Sequence, residues 1–196
     1  MRTLMPTLAI CLVAPAVAAL AQDAKPAAAA PAPAPDRPPA FNKMAYGFVK
    51  GNLLRSAEKM PEENYGFRPT DAVRSFGQVV GHVADAQYLF CAVVLGDKNP
   101  APKSAESKTS KAELIAALKD GFAYCDRAFD GMTDAKAVEI VKMFGRDTPK
   151  LGVLSGCIFH DMEHYGNLVT YMRLKNVVPP TSEQAAPAMG KKQEQE

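Results

Sequence analysis

The chain has 196 residues, with 23 Lys and Arg against 21 Asp and Glu and a formal net charge of +2. A basic excess this small, with no long run of like charge, argues against nucleic acid or an anionic membrane surface as a partner. Its histidines number three, and their positions carry most of what the sequence says about chemistry.

In chain order, Arg2 supplies a positive start, Leu8 to Leu20 a short apolar run, and Ala19-Leu20-Ala21 an A-x-A cleavage signal. Residues 1–21 therefore read as a signal peptide, and the mature protein is expected to be exported, periplasmic or secreted. The run falls short of the roughly 20 apolar residues of a transmembrane helix, so no stable membrane insertion is expected after cleavage. Cys11 follows Ile10 rather than a small residue, which does not suit a lipoprotein signal. Residues 22–40 are nearly all Ala and Pro and read as a disordered linker. Residues 41–180 are the size of one ordinary domain. Residues 181–196 are polar and aperiodic and read as a frayed, disordered tail.

Four helical patterns follow. The first runs from about Phe41 to Met60, with Phe41, Met44, Ala45, Phe48, Val49 and Leu53 as a broad apolar face, and Pro61 stops it. The second opens on a capping box, Ser75-Phe76-Gly77-Gln78, and ends at Gly96. Its core stripe is Phe76, Val79, Val80, Val83, Phe90 and Val94. The third also opens on a capping box, Ser110-Lys111-Ala112-Glu113, and carries Leu114, Leu118, Phe122, Cys125 and Phe129. The fourth takes Thr148 as N-cap and Pro149 as its first helical residue, then runs to about Lys175 before Pro179-Pro180. Val138 to Met143 is ambiguous between strand and coil. Four amphipathic helices in one domain predict an all-α, up-and-down four-helix bundle, a fold that builds sites in its core from facing helices.

His160 and His164, in His160-Asp161-Met162-Glu163-His164, are one turn apart. Such a pair shares a helix face with Cβ atoms about 6 Å apart, close enough to converge on one ion. They border the apolar band of Leu154, Ile158, Tyr165, Leu168 and Met172, so they face a cleft rather than open water. His82, beside Val79 and Ala86 on the second helix, can close the site. Three neutral imidazoles suit zinc, nickel, iron or copper and leave coordination positions open. One divalent metal ion is expected, zinc or nickel ahead of iron or manganese, on His82, His160 and His164. Asp85 and Asp161 are candidate acceptors for the other ring nitrogens.

Other readings compete. The string also matches the H-x-x-E-H of inverzincin peptidases with Glu163 as general base, but those need a further acidic ligand well downstream, where only a polar tail follows. Cys157, three residues before His160, is an alternative fourth ligand that would close the site. Mature cysteines are Cys91, Cys125 and Cys157, an odd number without C-x-x-C spacing. They could form one disulfide and leave one thiol, but the preferred reading is three buried small hydrophobes.

The chain resembles the DinB family of four-helix-bundle metalloenzymes, also called DinB-like or YfiT-like, over about Phe41 to Pro180. The carriers are Met60-Pro61-Glu62-Glu63-Asn64-Tyr65-Gly66-Phe67-Arg68-Pro69-Thr70 and Gly81-His82-Val83-Ala84-Asp85-Ala86-Gln87. A third piece is His160-Asp161-Met162-Glu163-His164-Tyr165-Gly166-Asn167, continuing into Tyr171-Met172-Arg173-Leu174-Lys175. The family pattern, one histidine on the second helix and an H-x-x-x-H on the last, falls on His82, His160 and His164. The resemblance implies a three-histidine divalent site with open coordination. It also implies kinship with enzymes that transfer or isomerise substrates with a low-molecular-weight thiol.

The expected function is thus that of a metal-dependent hydrolase or thiol-dependent transferase acting on a small molecule. The alternative is a noncatalytic exported metal-binding or structural bundle. A homodimer is one assembly open to such a bundle, and the sequence does not fix the oligomeric state.

Overall fold

The prolines that close the Ala/Pro stretch start a helix. In the computed structural model, which describes residues 37–101 and 104–183, helix α1 spans Arg37–Lys59. It begins four residues before the expected boundary, because Pro38 and Pro39 sit in the first turn, where proline's missing N–H breaks no intrahelical bond. The expected signal peptide, nearly all of the linker and most of the tail lie outside the described residues.

Helix α2 (Phe76–Leu95) has the expected capping box, with Gln78 N–H donating to Ser75 Oγ and Ser75 N–H donating to Gln78 Oε1. Gly96 ends it in a left-handed conformation. Helix α3 (Lys111–Asp130) makes half of its predicted box, Glu113 N–H donating to Ser110 Oγ. After the single turn α4 (Asp134–Ala137), strands β1 (Ile140–Met143) and β2 (Arg146–Pro149) pair antiparallel, with Met143 opposite Arg146. Helix α5 (Lys150–Leu174) follows directly. The ambiguous stretch is therefore half of a hairpin, and Thr148 is not an N-cap: it lies in β2 opposite Val141. An N-cap and a strand residue both favour extended backbone, so the local signals are alike. The cap is Pro149, extended at φ −60° and ψ 142°.

The two-residue turn of the hairpin is Phe144-Gly145, at φ 50° and φ 77°. Positive φ at both central residues matches the right-handed twist of the strands and favours Asn-Gly. A β-carbon there costs about 1–2 kcal/mol, yet the first position is phenylalanine, 74% exposed.

The extensive helix contacts among the described residues are α2 with α3, α2 with α5, α1 with α5 and α1 with α3. The ring order is α1–α3–α2–α5. This corrects the simple up-and-down expectation, in which each helix packs on its successor in the chain. The connections 60–75 and 131–149 are long enough to carry the chain across the bundle. The core contains Val49, Leu53, Phe76, Val83, Leu114, Phe122, Leu154 and Leu168.

Only part of the predicted face of α1 is in that core. Phe41, Met44 and Phe48 are exposed and share an apolar groove with Ile158, Phe159 and Met162 of α5. Tyr46 and Ala57 complete the buried stripe instead. Residues 181–183 are not frayed. Thr181 Oγ1 lies 2.8 Å from Tyr165 Oη, Arg173 donates to Ser182 Oγ at 2.7 Å, and Glu183 pairs with Lys59.

Cys91 of α2 and Cys125 of α3 form a disulfide, their Cα atoms 5.2 Å apart. The preferred reading of three unlinked cysteines is corrected to one bridge and one buried thiol, Cys157.

Candidate metal centre

The buried stripes that pack α2 against α5 also fix where the histidines meet. His82 is one turn past Val79 on α2, and His160 and His164 lie one turn apart on α5. A ring nitrogen from each falls within 4.8 Å of the others. His82 Nε2 is 3.1 Å from His160 Nε2, which is 3.2 Å from His164 Nε2. In a neutral ring each nitrogen is either a donor or an acceptor, so His160 Nε2 can hydrogen-bond well to only one of its two neighbours. A tetrahedral ion with metal–nitrogen distances of about 2.0–2.1 Å needs ligand nitrogens about 3.3–3.4 Å apart. The two distances from His160 Nε2 lie near that spacing and the third pair falls within 4.8 Å, so this group can hold a metal ion.

The outward nitrogens are also provided for. His82 Nδ1 lies 3.4 Å from Glu106 Oε2, and Glu106 Oε1 accepts from Arg74 Nε at 2.8 Å. His160 Nδ1 lies 3.7 Å from Asp161 Oδ1, beyond hydrogen-bond distance, and otherwise has no partner; Asp161 Oδ2 has none either. The Asn167 amide lies 3.3 Å from His164 Nδ1. With its oxygen toward the ring, that amide accepts Nδ1–H and leaves Nε2 free for the ion.

Asp161 is fully buried at the end of a polar chain. Cys157 Sγ donates to Gln87 Oε1 at 3.5 Å, and Gln87 Nε2 donates to Asp161 Oδ1 at 2.8 Å. Asp161 lies beside the His160 ring, although no hydrogen bond joins it to Nδ1. Asp85 is turned to other partners: its Oδ1 accepts from Ala105 N–H at 2.8 Å and its Oδ2 from Ser104 Oγ at 2.5 Å. It holds the short 3-10 turn Ala105–Ser107, and that turn delivers Glu106 to His82. The turn can approach because position 81 is glycine; a β-carbon there would come within 2.6 Å of Ala105 O.

Cys157 is not a fourth ligand. Its sulfur lies within 4.8 Å of those of Cys91 and Cys125, away from the imidazole group. Burial, reinforced by Asp161, pushes its thiol well above the usual range. Burial also lowers His164 to about 4, helped by the charges of His160, His82 and Arg74. His82 is lowered by burial, then by Arg74 and His160, with Glu106 opposing. Rings kept neutral in this way are ready to bind a cation. Burial raises the Asp161 carboxyl, with His160 and Gln87 opposing.

Two cavities flank the imidazoles. His164, Arg74, Glu106, Glu163, Asn167 and Tyr171 border a polar one of about 540 Å³. His82 and His160 border one of about 560 Å³ that also meets Ala86, Leu89, Phe90 and Phe144. Sequence reasoning missed Arg74, Glu106 and Phe144. Glu106 and Phe144 lie in loops with no periodicity to betray their direction. Asn167 was legible, being three residues past His164 on one helix face.

Fold and site together define a mostly helical protein with a small two-stranded sheet and a three-histidine group able to hold a metal ion. The chain belongs to the DinB superfamily, whose family profile matches residues 45–168. It is 23% identical over 120 residues to YjoA of Bacillus subtilis (strain 168), covering 60% of this chain and 77% of YjoA. Among solved structures, a DinB-like protein of Bacillus cereus ATCC 10987 aligns with TM-score 0.64 at 18% identity, covering 71% of this chain and 93% of its own. The mycothiol-dependent maleylpyruvate isomerase aligns with TM-score 0.57 at 15% identity, covering 68% of this chain and 61% of its own. At these identities the structural likenesses show a common fold.

Proposed function

We propose that this protein is an exported metalloenzyme that binds one divalent ion through Nε2 of His82, His160 and His164 and acts on a small molecule by hydrolysis or thiol-dependent transfer. The observation that carries this reading is the convergence of three Nε2 atoms at 3.1 Å and 3.2 Å, with Glu106, Asp161 and Asn167 facing the opposite nitrogens. An all-nitrogen donor set favours zinc or nickel over iron or manganese. Export is supported by the leader pattern and by the Cys91–Cys125 bridge, since disulfides persist in oxidising compartments.

An ion held by three neutral ligands keeps its full charge and acidifies a bound water or thiol. The residues of the chain do the rest. Glu106, 3.4 Å from His82 Nδ1, holds that ring with Nδ1 protonated and Nε2 free, and the Asp161 carboxylate, 3.7 Å from His160 Nδ1, favours the same tautomer there through its charge. Glu163, exposed on the border of the polar cavity, is placed to accept the proton that a water or thiol gives up. Thiol chemistry is favoured by the shared fold of the mycothiol-dependent isomerase. A site closed by Cys157, the form expected of a noncatalytic module, is disfavoured because that thiol is engaged with Gln87.

Metal analysis of the purified mature protein tests this reading. We expect close to one divalent ion per chain in the wild type and none in His82→Ala, His160→Ala or His164→Ala, with helical content retained because apolar faces hold the bundle. Stoichiometric binding in all three variants would overturn the assignment. A thiol-conjugation screen on the loaded protein then tests the reaction class.

A further inference from the structure

Phe144 is the feature that the proposed chemistry does not explain. A phenylalanine at φ 50° is a genuine outlier, since a large side chain gains nothing locally from left-handed backbone. This one is also among the most exposed apolar residues described. A residue at odds with both solvent and backbone preference would normally be asparagine before Gly145, completing the pair suited to this turn. Strain kept at one position points to function when the surroundings supply a reason.

The surroundings do. The turn sets Phe144 edge-on to Phe90 at 6.2 Å between centroids, and Phe90 lies 5.7 Å from the His160 ring. Phe144, Phe90, Leu89 and Ala86 form the apolar walls of the cavity that His82 and His160 border. Leu89, on α2, is itself 42% exposed there. An aromatic wall thus begins at an imidazole of the metal centre and ends on the hairpin tip.

We infer that Phe144 is a specificity-determining residue, and that it forms with Phe90 and Leu89 a subsite for an aromatic or bulky apolar group on a substrate held at the three-histidine centre. This deepens the proposed function and rests on it. Offset or edge-to-face stacking on Phe144 and Phe90 would recognise a planar ring, and polar Asp85, Asn99 and Ser104 on the border would leave the rest of the molecule wet.

The test uses the mature protein loaded with cobalt(II) and two thiols of similar acidity, ethanethiol and 2-phenylethanethiol, read by the thiolate-to-cobalt charge-transfer band. The expected wild-type preference for the phenyl compound is roughly tenfold, as for partial burial of one ring. Phe144→Asn should abolish that preference, leave ethanethiol binding unchanged and keep or raise the melting temperature, since asparagine suits the turn. An equal affinity for both thiols in the wild type, or an undiminished preference in Phe144→Asn, overturns the subsite while the metal site stands. Loss of binding of both thiols with a lowered melting temperature makes Phe144 structural and also overturns it. Failure of the wild type to bind cobalt overturns the metal reading and this inference with it.

Discussion

Glu106 Oε2 lies 3.4 Å from His82 Nδ1, although the two residues belong to different elements and the carboxylate is also bonded to Arg74. The pairing depends on the Ala105–Ser107 turn lying against the backbone of α2 at Gly81. Gly81→Ala should therefore push the turn away and release His82, although alanine is the better helix former. We expect metal affinity to fall roughly 10–100-fold, the usual effect of losing an orienting partner. Isothermal titration with zinc checks this, and an unchanged affinity would show that Glu106 does not orient the ring.

The second orienting group is Asp161. Asp161→Asn keeps the shape but removes the negative charge beside His160 Nδ1, and metal affinity should again fall roughly 10–100-fold. Gln87→Leu should act in the same direction but less strongly, because it removes the donor that positions Asp161 rather than Asp161 itself. Equal losses from Gln87→Leu and Asp161→Asn would contradict this order.

The Cys91–Cys125 bridge closes a loop with a sequence separation of 34. A loop of that length is worth about 3–4 kcal/mol through the entropy of the unfolded chain. Urea unfolding of the Cys91→Ala/Cys125→Ala double variant should show a loss near that size. Its metal stoichiometry should be unchanged, because neither Cys91 nor Cys125 belongs to the imidazole group.

His164 is held down to about 4, chiefly by burial. In the unfolded chain a histidine titrates near 6.5. Between these values the unfolded state binds a proton that the folded state refuses, so metal-free stability falls as the pH drops through that window. His82, also lowered, adds to the same slope. The raised carboxyl of Asp161 contributes the opposite slope above the usual carboxylate value, so the His164 effect is best isolated by difference. The melting temperature of the wild type minus that of His164→Ala should shrink from about pH 7 to about pH 4.5. A constant difference would refute the assignment.

Much of the site was legible because helical spacing is a local property. His160 and His164 share a face by their separation alone, and His82 was then the remaining histidine. The capping box at Ser75 and the stop at Gly96 were legible for the same reason. Adjacency was not. Periodicity shows that α1 has an apolar face, but not that α3 and α5, rather than α2, cover it. Cys91 and Cys125 meet only once α2 and α3 pack, and Glu106 reaches His82 only through a glycine-sized gap on another helix. Phe41, Met44 and Phe48 misled because the amino-terminal half of α1 is apolar on more than one side.

The disulfide joins α2 to α3, but no covalent link ties α5 to either of them. His82 is on one side of the α2–α5 seam, and His160 and His164 are on the other. An ion seated on these imidazoles would therefore be the staple across the seam that the cysteines leave open. Occupancy would set how readily α5 swings away from α2 and would report metal supply through the mechanics of the fold. Hydrogen exchange along α5 would read it directly, slowing at Cys157–Leu168 when the ion binds while the bridged α2–α3 pair barely changes.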